Sequence, residues 1–224
     1  MGSLTVGLID SGVEAATAAN LAASRAFRLG ADGEVTAVEP EVDRLGHGTA
    51  LAGILARGVP GVRLLSAQVF SDTLSCSARQ VAAALDWLVS HEARLVNMSF
   101  GLRQDRDALR LACARAQAAG VILVAASPAR GAPVFPASYP GVIRATGDAR
   151  CAVDEVSSLA TTQADFGAHV RSDDDAISGA SVGCARLSAV AATFLGQNPH
   201  ASVEELRAWL TGRATYHGPE RRTR

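Results

Sequence analysis

Three segments of this 224-residue chain combine a reactive side chain, flanking glycine and the boundary of an expected element. In Val6-Gly7-Leu8-Ile9-Asp10-Ser11-Gly12 an apolar run of strand length ends in a carboxylate. The carboxyl edge of an open α/β sheet is where ligands bind, so Asp10 stands in a position to do chemistry. In Gly46-His47-Gly48-Thr49-Ala50 an imidazole opens a helical stretch. The positive end of a helix favours the neutral ring, which is the form a general base needs. Small residues at Ala50, Ala52 and Gly53 let that helix lie close to a sheet and hold the ring in place. In Ser178-Gly179-Ala180-Ser181-Val182-Gly183-Cys184 a hydroxyl sits in the first turn of an apolar helix. The backbone N–H groups there have no intrahelical acceptor and can hold a developing oxyanion. Each segment also has a plainer reading: a turn-capping aspartate, a core or cap histidine, an N-cap serine. His91, His169, His200 and His217 lack glycine neighbours and read as ordinary structural residues.

The elements that must position these groups follow from periodicity. Near-continuous apolar runs predict strands at Leu4–Ile9, Glu34–Val38, Leu64–Val69, Leu95–Met98, Val121–Ala126 and Val142–Thr146, of the kind buried on both faces in parallel sheets. Helices are expected over His47–Ala56, Ala78–Leu88, Asp105–Ala119, Ser181–Leu195 and Ser202–Leu210, the last opened by a Ser202/Glu205 capping box. Alternating β and α elements imply an α/β fold of three layers: a mostly parallel, twisted sheet with helices on both faces. With no internal repeat and no Gly/Ser/Pro-rich linker, residues 1–224 read as a single domain.

Composition narrows the chemistry. Hydrophobic residues make up 48% and aromatics only 4%, and there are 44 alanines, so the core must rest on close approach of small aliphatic groups. Twenty-one positive against 22 negative side chains argue against nucleic acid or an anionic membrane as the main partner. All the positive residues are arginine, which excludes Schiff-base lysines, Ser–Lys dyads and the lysine of a phosphate loop. No signal peptide or membrane-spanning run is present. Cys76, Cys113, Cys151 and Cys184 show no CxxC spacing and read as free thiols in a reducing cytoplasm, with no metal and no cofactor.

Taken together, the three segments resemble the motifs of the subtilases in chain order. IDSG matches the aspartate motif, GHGT the histidine motif, and SGASVGCA stands at the serine motif. Leu95-Val96-Asn97-Met98-Ser99-Phe100-Gly101 resembles their substrate-binding strand, and Phe135-Pro136-Ala137-Ser138-Tyr139-Pro140 a further family segment. The resemblance spans Val6 to about Leu195. It implies a serine endopeptidase with Ser181 as nucleophile, His47 as general base and acid, and Asp10 orienting the imidazole. It also implies an extended polypeptide substrate, paired by Ser99, Phe100 and Gly101 on one side and by Leu74, Ser75 and Cys76 on the other. Ala125, Ala126 and Ser127 would line the primary pocket and favour a small or apolar residue.

Two departures bear on rate. Pro128 stands where subtilases usually carry an oxyanion-donating Asn, and Ala180 replaces the usual threonine before the nucleophile. Loss of one such donor costs roughly 10²–10³ in turnover. The connection Arg57–Arg63 has no acidic residue for the calcium loop of many secreted members, and the first strand starts so early that no N-terminal pro-segment is expected. These features suggest a small processing protease acting on a specific precursor, similar to the enzymes that trim a leader in the maturation of quinohemoprotein amine dehydrogenase. Two other readings compete. One is a subtilase-like peptide-binding protein with impaired catalysis. The other is an α/β-hydrolase esterase built on Gly179-x-Ser181-x-Gly183, which needs a buried strand where Arg171–Ile177 stands. The Asp173-Asp174-Asp175 run before the nucleophile reads as a solvated loop, and the tail from Glu220 as solvated.

Overall fold

The computed structural model describes residues 3–16, 19–173 and 175–220. Asp174 and the tail beyond Glu220 lie outside the described residues. The strands are β1 Thr5–Asp10, β2 Leu21–Leu29, β3 Val35–Val38, β4 Arg63–Gln68, β5 Leu95–Met98, β6 Ile122–Ala126, β7 Ile143–Gly147, β8 Val156–Ser158, β9 Phe166–Ala168 and β10 Tyr216–His217. The helices are α1 His47–Gly58, α2 Ala78–Ser90, α3 Asp107–Ala118, α4 Ala180–Gln197 and α5 Val203–Arg213. The strands form one sheet in the order β10-β8-β9-β7-β6-β5-β1-β4-β2-β3. All neighbouring pairs are parallel except β2/β3 and β8/β9. The order reverses beside β1, and ligands gather at such a switch point.

Strict alternation along the central strands divides the core in two. Val6 and Leu8 of β1, Leu95 of β5, and Ile122, Val124 and Ala126 of β6 face the layer holding α1, α4 and α5. Ile9, Val96, Met98, Leu123 and Ala125 point to the opposite face, against α2 and α3. This period of two, with both faces apolar, is why the runs read as buried parallel strands. The three-layer α/β fold follows directly.

All six expected strands and all five helices are present, with ends unchanged or moved by up to three residues. Glu34–Val38 is the exception in kind: it becomes β3, an antiparallel and largely exposed edge strand. Four strands lay below the reach of periodicity. β2 carries Ala, Ser and Arg and is only partly buried, so its sequence alternates poorly. β8, β9 and β10 have three, three and two residues, too few to show a period.

Candidate active site

β1 ends in Asp10, and α1 returns across its tip. Two local features allow so close a return. A Cβ on Gly48 would lie 2.2 Å from the Gly12 carbonyl oxygen and 3.2 Å from the Asp10 Cβ, so only glycine fits there. The Ser11 hydroxyl accepts from the Gly48 N–H at 2.8 Å, pinning the helix start to the strand tip. The close approach is made by Gly48 rather than by Gly53, whose nearest neighbour is the Arg57 side chain of its own helix.

His47, the first residue of α1, donates from Nδ1 to Asp10 Oδ1 at 2.7 Å. The same oxygen accepts the Ser11 N–H at 2.8 Å, and Asp10 is 1% exposed. Its other oxygen, Oδ2, has no hydrogen-bond partner. A buried carboxylate with spare acceptor capacity favours a protonated ring beside it. Burial pulls the His47 pKa down, but the Asp10 hydrogen bond, the Asp10 charge and the charge of Asp43 outweigh it, and the net shift is upward.

Asp43 escaped the sequence reading. Its buried carboxylate accepts from Leu45 N at 3.2 Å, Gly46 N at 2.9 Å, Thr49 N at 2.9 Å and Thr49 Oγ1 at 2.7 Å. It therefore closes the loop leading into α1 and places a negative charge at the helix's positive end. An acid four residues ahead of His47 is the one signal that the sequence offers for it.

Ser181 lies in the first turn of α4, which starts after Gly179 in a backbone conformation reserved for glycine (φ 103°). A Cβ on Gly183 would stand 2.3 Å from the Thr146 carbonyl oxygen, so this helix too reaches the sheet through a glycine. The Ser181 hydroxyl donates to the Ser99 carbonyl at 2.8 Å, and the Ser99 hydroxyl donates to the Ser181 carbonyl at 3.0 Å. Behind them Asn97 donates to the Ser99 hydroxyl at 2.9 Å and accepts from Ser188 at 2.9 Å. This buried network fixes the start of α4 on β5, and Asn97, like Asp43, is a residue whose part in the site the sequence reading missed.

The register joins the pieces. Ile9 pairs with Met98, so Asp10 and Ser99 leave adjacent strands side by side, about 5 Å apart. Asp10 with His47, and Ser99 with Ser181, therefore share the carboxyl edge of the two central strands. No hydrogen bond joins Ser181 to His47 among the described residues; the hydroxyl is turned to Ser99.

The other expected positions fall around this edge. Phe100 and Gly101 make no backbone hydrogen bond among the described residues, whereas Leu102 exchanges two with Phe135, at 2.7 and 2.9 Å. Leu74 and Ser75 are exposed and Cys76 half-buried, on the segment entering α2. Burial, and secondarily the Asp10 charge, pushes the Cys76 thiol up to about 12. Ala125 and Ala126 end β6 and Ser127 follows it, all buried, with Ala125 opposite Met98. Pro128 follows them, half-buried and with no side-chain donor. Among the described residues no three His, Cys, Asp or Glu side chains gather as metal ligands. Among the described residues of 171–177 there is no strand, only an isolated bridge from Arg171 to Ser178, where an α/β-hydrolase elbow requires a buried strand before Ser181.

A doubly wound sheet with a buried Asp–His pair and a helix-start serine at one edge defines a hydrolase-type architecture. The family model of the subtilase family matches residues 2–224, and the chain belongs to that family of serine peptidases. It is 30% identical over 200 residues to a thermostable alkaline protease of Halalkalibacterium halodurans, covering 79% of this chain and 54% of that protein. It is 26% identical to subtilisin DY of Bacillus licheniformis, covering 96% of this chain and 85% of the relative. Among solved structures, sphericase superposes with a TM-score of 0.70 at 21% identity, over 96% of this chain and 86% of that one. A psychrophilic S41 protease gives 0.69 at 20% identity, with the same coverage of both chains, and these two likenesses concern the fold.

Proposed function

We propose that the protein is a slow, selective serine endopeptidase that processes a specific polypeptide through Asp10, His47 and Ser181. The observation that carries the reading is the 2.7 Å hydrogen bond from His47 to a buried Asp10 at the strand edge beside Ser181. In the reaction the Ser181 hydroxyl turns from Ser99 to His47 Nε2. His47 takes the proton as the oxygen attacks the peptide carbonyl, and then gives it to the departing amine. Water, deprotonated by the same ring, hydrolyses the acyl-enzyme and restores Ser181. Asp10 holds the Nδ1 tautomer and stabilises the imidazolium. The free N–H groups at the start of α4 support the oxyanion. Phe100 and Gly101 pair with one side of an extended substrate and Leu74–Cys76 with the other, while Ala125–Ser127 border the residue at the bond cut.

Pro128 supplies no oxyanion donor, which favours a precursor-directed, leader-removing role over general digestion. Four unpaired cysteines fit a reducing, cytoplasmic setting. No described helix is long and apolar enough to cross a membrane. The Ser181–Ser99 hydrogen bond also favours a second reading, a peptide binder in which the hydroxyl stays parked. Hydrolysis of a peptide library distinguishes them: discrete cuts by the wild type, abolished in both Ser181→Ala and His47→Ala, support the peptidase. A folded wild type that binds peptides without cutting them supports the binder.

A further inference from the structure

A cleft of about 600 Å³ opens between the amino ends of α2 and α3. Cys76 borders it on one side and Leu102, Arg103 and Gln104 on the other, so it continues the gap between the two segments assigned to substrate pairing. Arg103 is four residues beyond Ser99, which bonds Ser181; at an extended-chain maximum of about 3.3 Å per residue it lies at most roughly 13 Å from there. A strand bound in this gap brings there a side chain three to four residues from the bond to be cut.

Three guanidinium groups line the cleft, those of Arg79, Arg103 and Arg106. Among the described residues none of them has a carboxylate partner. Arg79 donates to the Gly33 carbonyl at 2.8 Å, Arg106 donates to the amide of Gln104, and Arg103 makes no hydrogen bond among the described residues. The single carboxylate lining the cleft, Asp107, is taken by Arg110. The first turn of α3 forms part of the wall, and no side chain caps its N–H groups. Other arginines are paired, as in Arg115–Asp86, Arg144–Asp165 and Arg150–Asp148. Among the described arginines without a carboxylate partner, Arg63, Arg94, Arg130 and Arg213 lie elsewhere, while Arg79, Arg103 and Arg106 share this one cleft.

We propose that this cleft selects substrates bearing an acidic side chain three to four residues from the scissile bond. The proposal rests on the peptidase reading above and deepens it by naming the substrate class. Arg79, Arg103 and Arg106 are specificity residues, and a carboxylate entering the cleft takes the role that Asp or Glu takes for the paired arginines. The guanidinium groups are exposed. Each pair is thus of the modest, salt-screened kind, and the preference comes from three acting together, with a share in association rate.

The test uses the folded protein and a set of unstructured peptides in which one position at a time, from four residues before to four residues after the cut, is Glu, Gln or Lys. At low ionic strength the wild type is expected to favour Glu over Gln about tenfold in kcat/KM at a position three or four residues from the cut, with Lys poorest. The ratio shrinks towards unity as salt rises to about 0.5 M. In the double variant Arg79→Gln, Arg103→Gln the Glu/Gln ratio falls to near one, and Arg103→Glu shifts preference towards Lys. Equal cleavage of Glu and Gln peptides by the wild type, or a preference unmoved by salt and by the double variant, overturns the proposal and leaves the peptidase reading intact. A folded wild type that cuts no peptide of the set and fails to react with a neutral fluorophosphonate overturns the peptidase reading itself, and this inference with it.

Discussion

Replacing Asp43 by asparagine separates the two tasks that the structure gives this side chain. The isosteric amide keeps one acceptor oxygen but turns an NH2 group towards backbone donors. At least one of the four hydrogen bonds now ending on the carboxylate, from Leu45, Gly46 and the two Thr49 donors, becomes a clash of donors. Loss of a helix-terminal cap costs about 0.5–2 kcal/mol, and a buried donor left unmatched about 1–3 kcal/mol. A total of about 1.5–5 kcal/mol lowers the melting temperature by roughly 3–20 °C for a domain of this size. The second effect is electrostatic. His47 is held above its ordinary pKa of 6.5 against the pull of burial, by Asp10 and, through charge alone, by Asp43. Removing the Asp43 charge lets the ring release its proton at lower pH. Because the base must be neutral, the acid limb of kcat/KM is expected to move to lower pH in Asp43→Asn. Melting curves and pH–rate profiles of the wild type and the variant read both effects. An acid limb that stays put or moves up refutes the electrostatic role, and an unchanged melting temperature refutes the cap.

Gly48→Ala sets a methyl group 2.2 Å from the Gly12 carbonyl, a backbone atom that cannot swing aside. It is expected to cost about 1–3 kcal/mol in denaturant titration and to lower kcat more than it raises KM, through displacement of the His47 helix. Pro128→Asn restores a side-chain donor beyond β6 and is expected to raise turnover, up to about 10²-fold; an unchanged kcat means the oxyanion is fully supported elsewhere. Cys76, with its thiol pushed up to about 12 by burial and then by Asp10, is expected to resist iodoacetamide at neutral pH, read by intact mass. Rapid alkylation in the folded protein contradicts that environment.

Much of this architecture was legible in the sequence, for identifiable reasons. Val6, Leu8 and Ile9 are apolar on both faces because β1 is central, so the run announced a buried parallel strand. Gly48 and Gly183 were visible as glycines, but the carbonyl oxygens they make room for, of Gly12 and Thr146, belong to other elements and leave no local trace. The same holds for Asn97, which meets Ser188 only when α4 docks on the sheet. Asp43 instead bonds within its own loop and the start of α1, a pattern marked in the sequence only by an acid ahead of His47. β2, next to the exposed edge and only partly buried, was hard to place because its apolar pattern is relaxed, and for β3 it was the antiparallel, exposed character that the run did not show. The arginines of the cleft belong to no motif in the sequence; the fold gathers Arg79 from α2 with Arg103 and Arg106 ahead of α3.

The central claim is that Ser181 is made nucleophilic by a His47 ring held on Asp10, and covalent labelling reads this most directly. A fluorophosphonate incubated with the folded protein is expected to add one phosphonyl group, located on Ser181 by peptide mass mapping. The adduct should vanish in Ser181→Ala and form far more slowly in His47→Ala. A folded wild type that stays unmodified, or an adduct found on any other residue, contradicts the account.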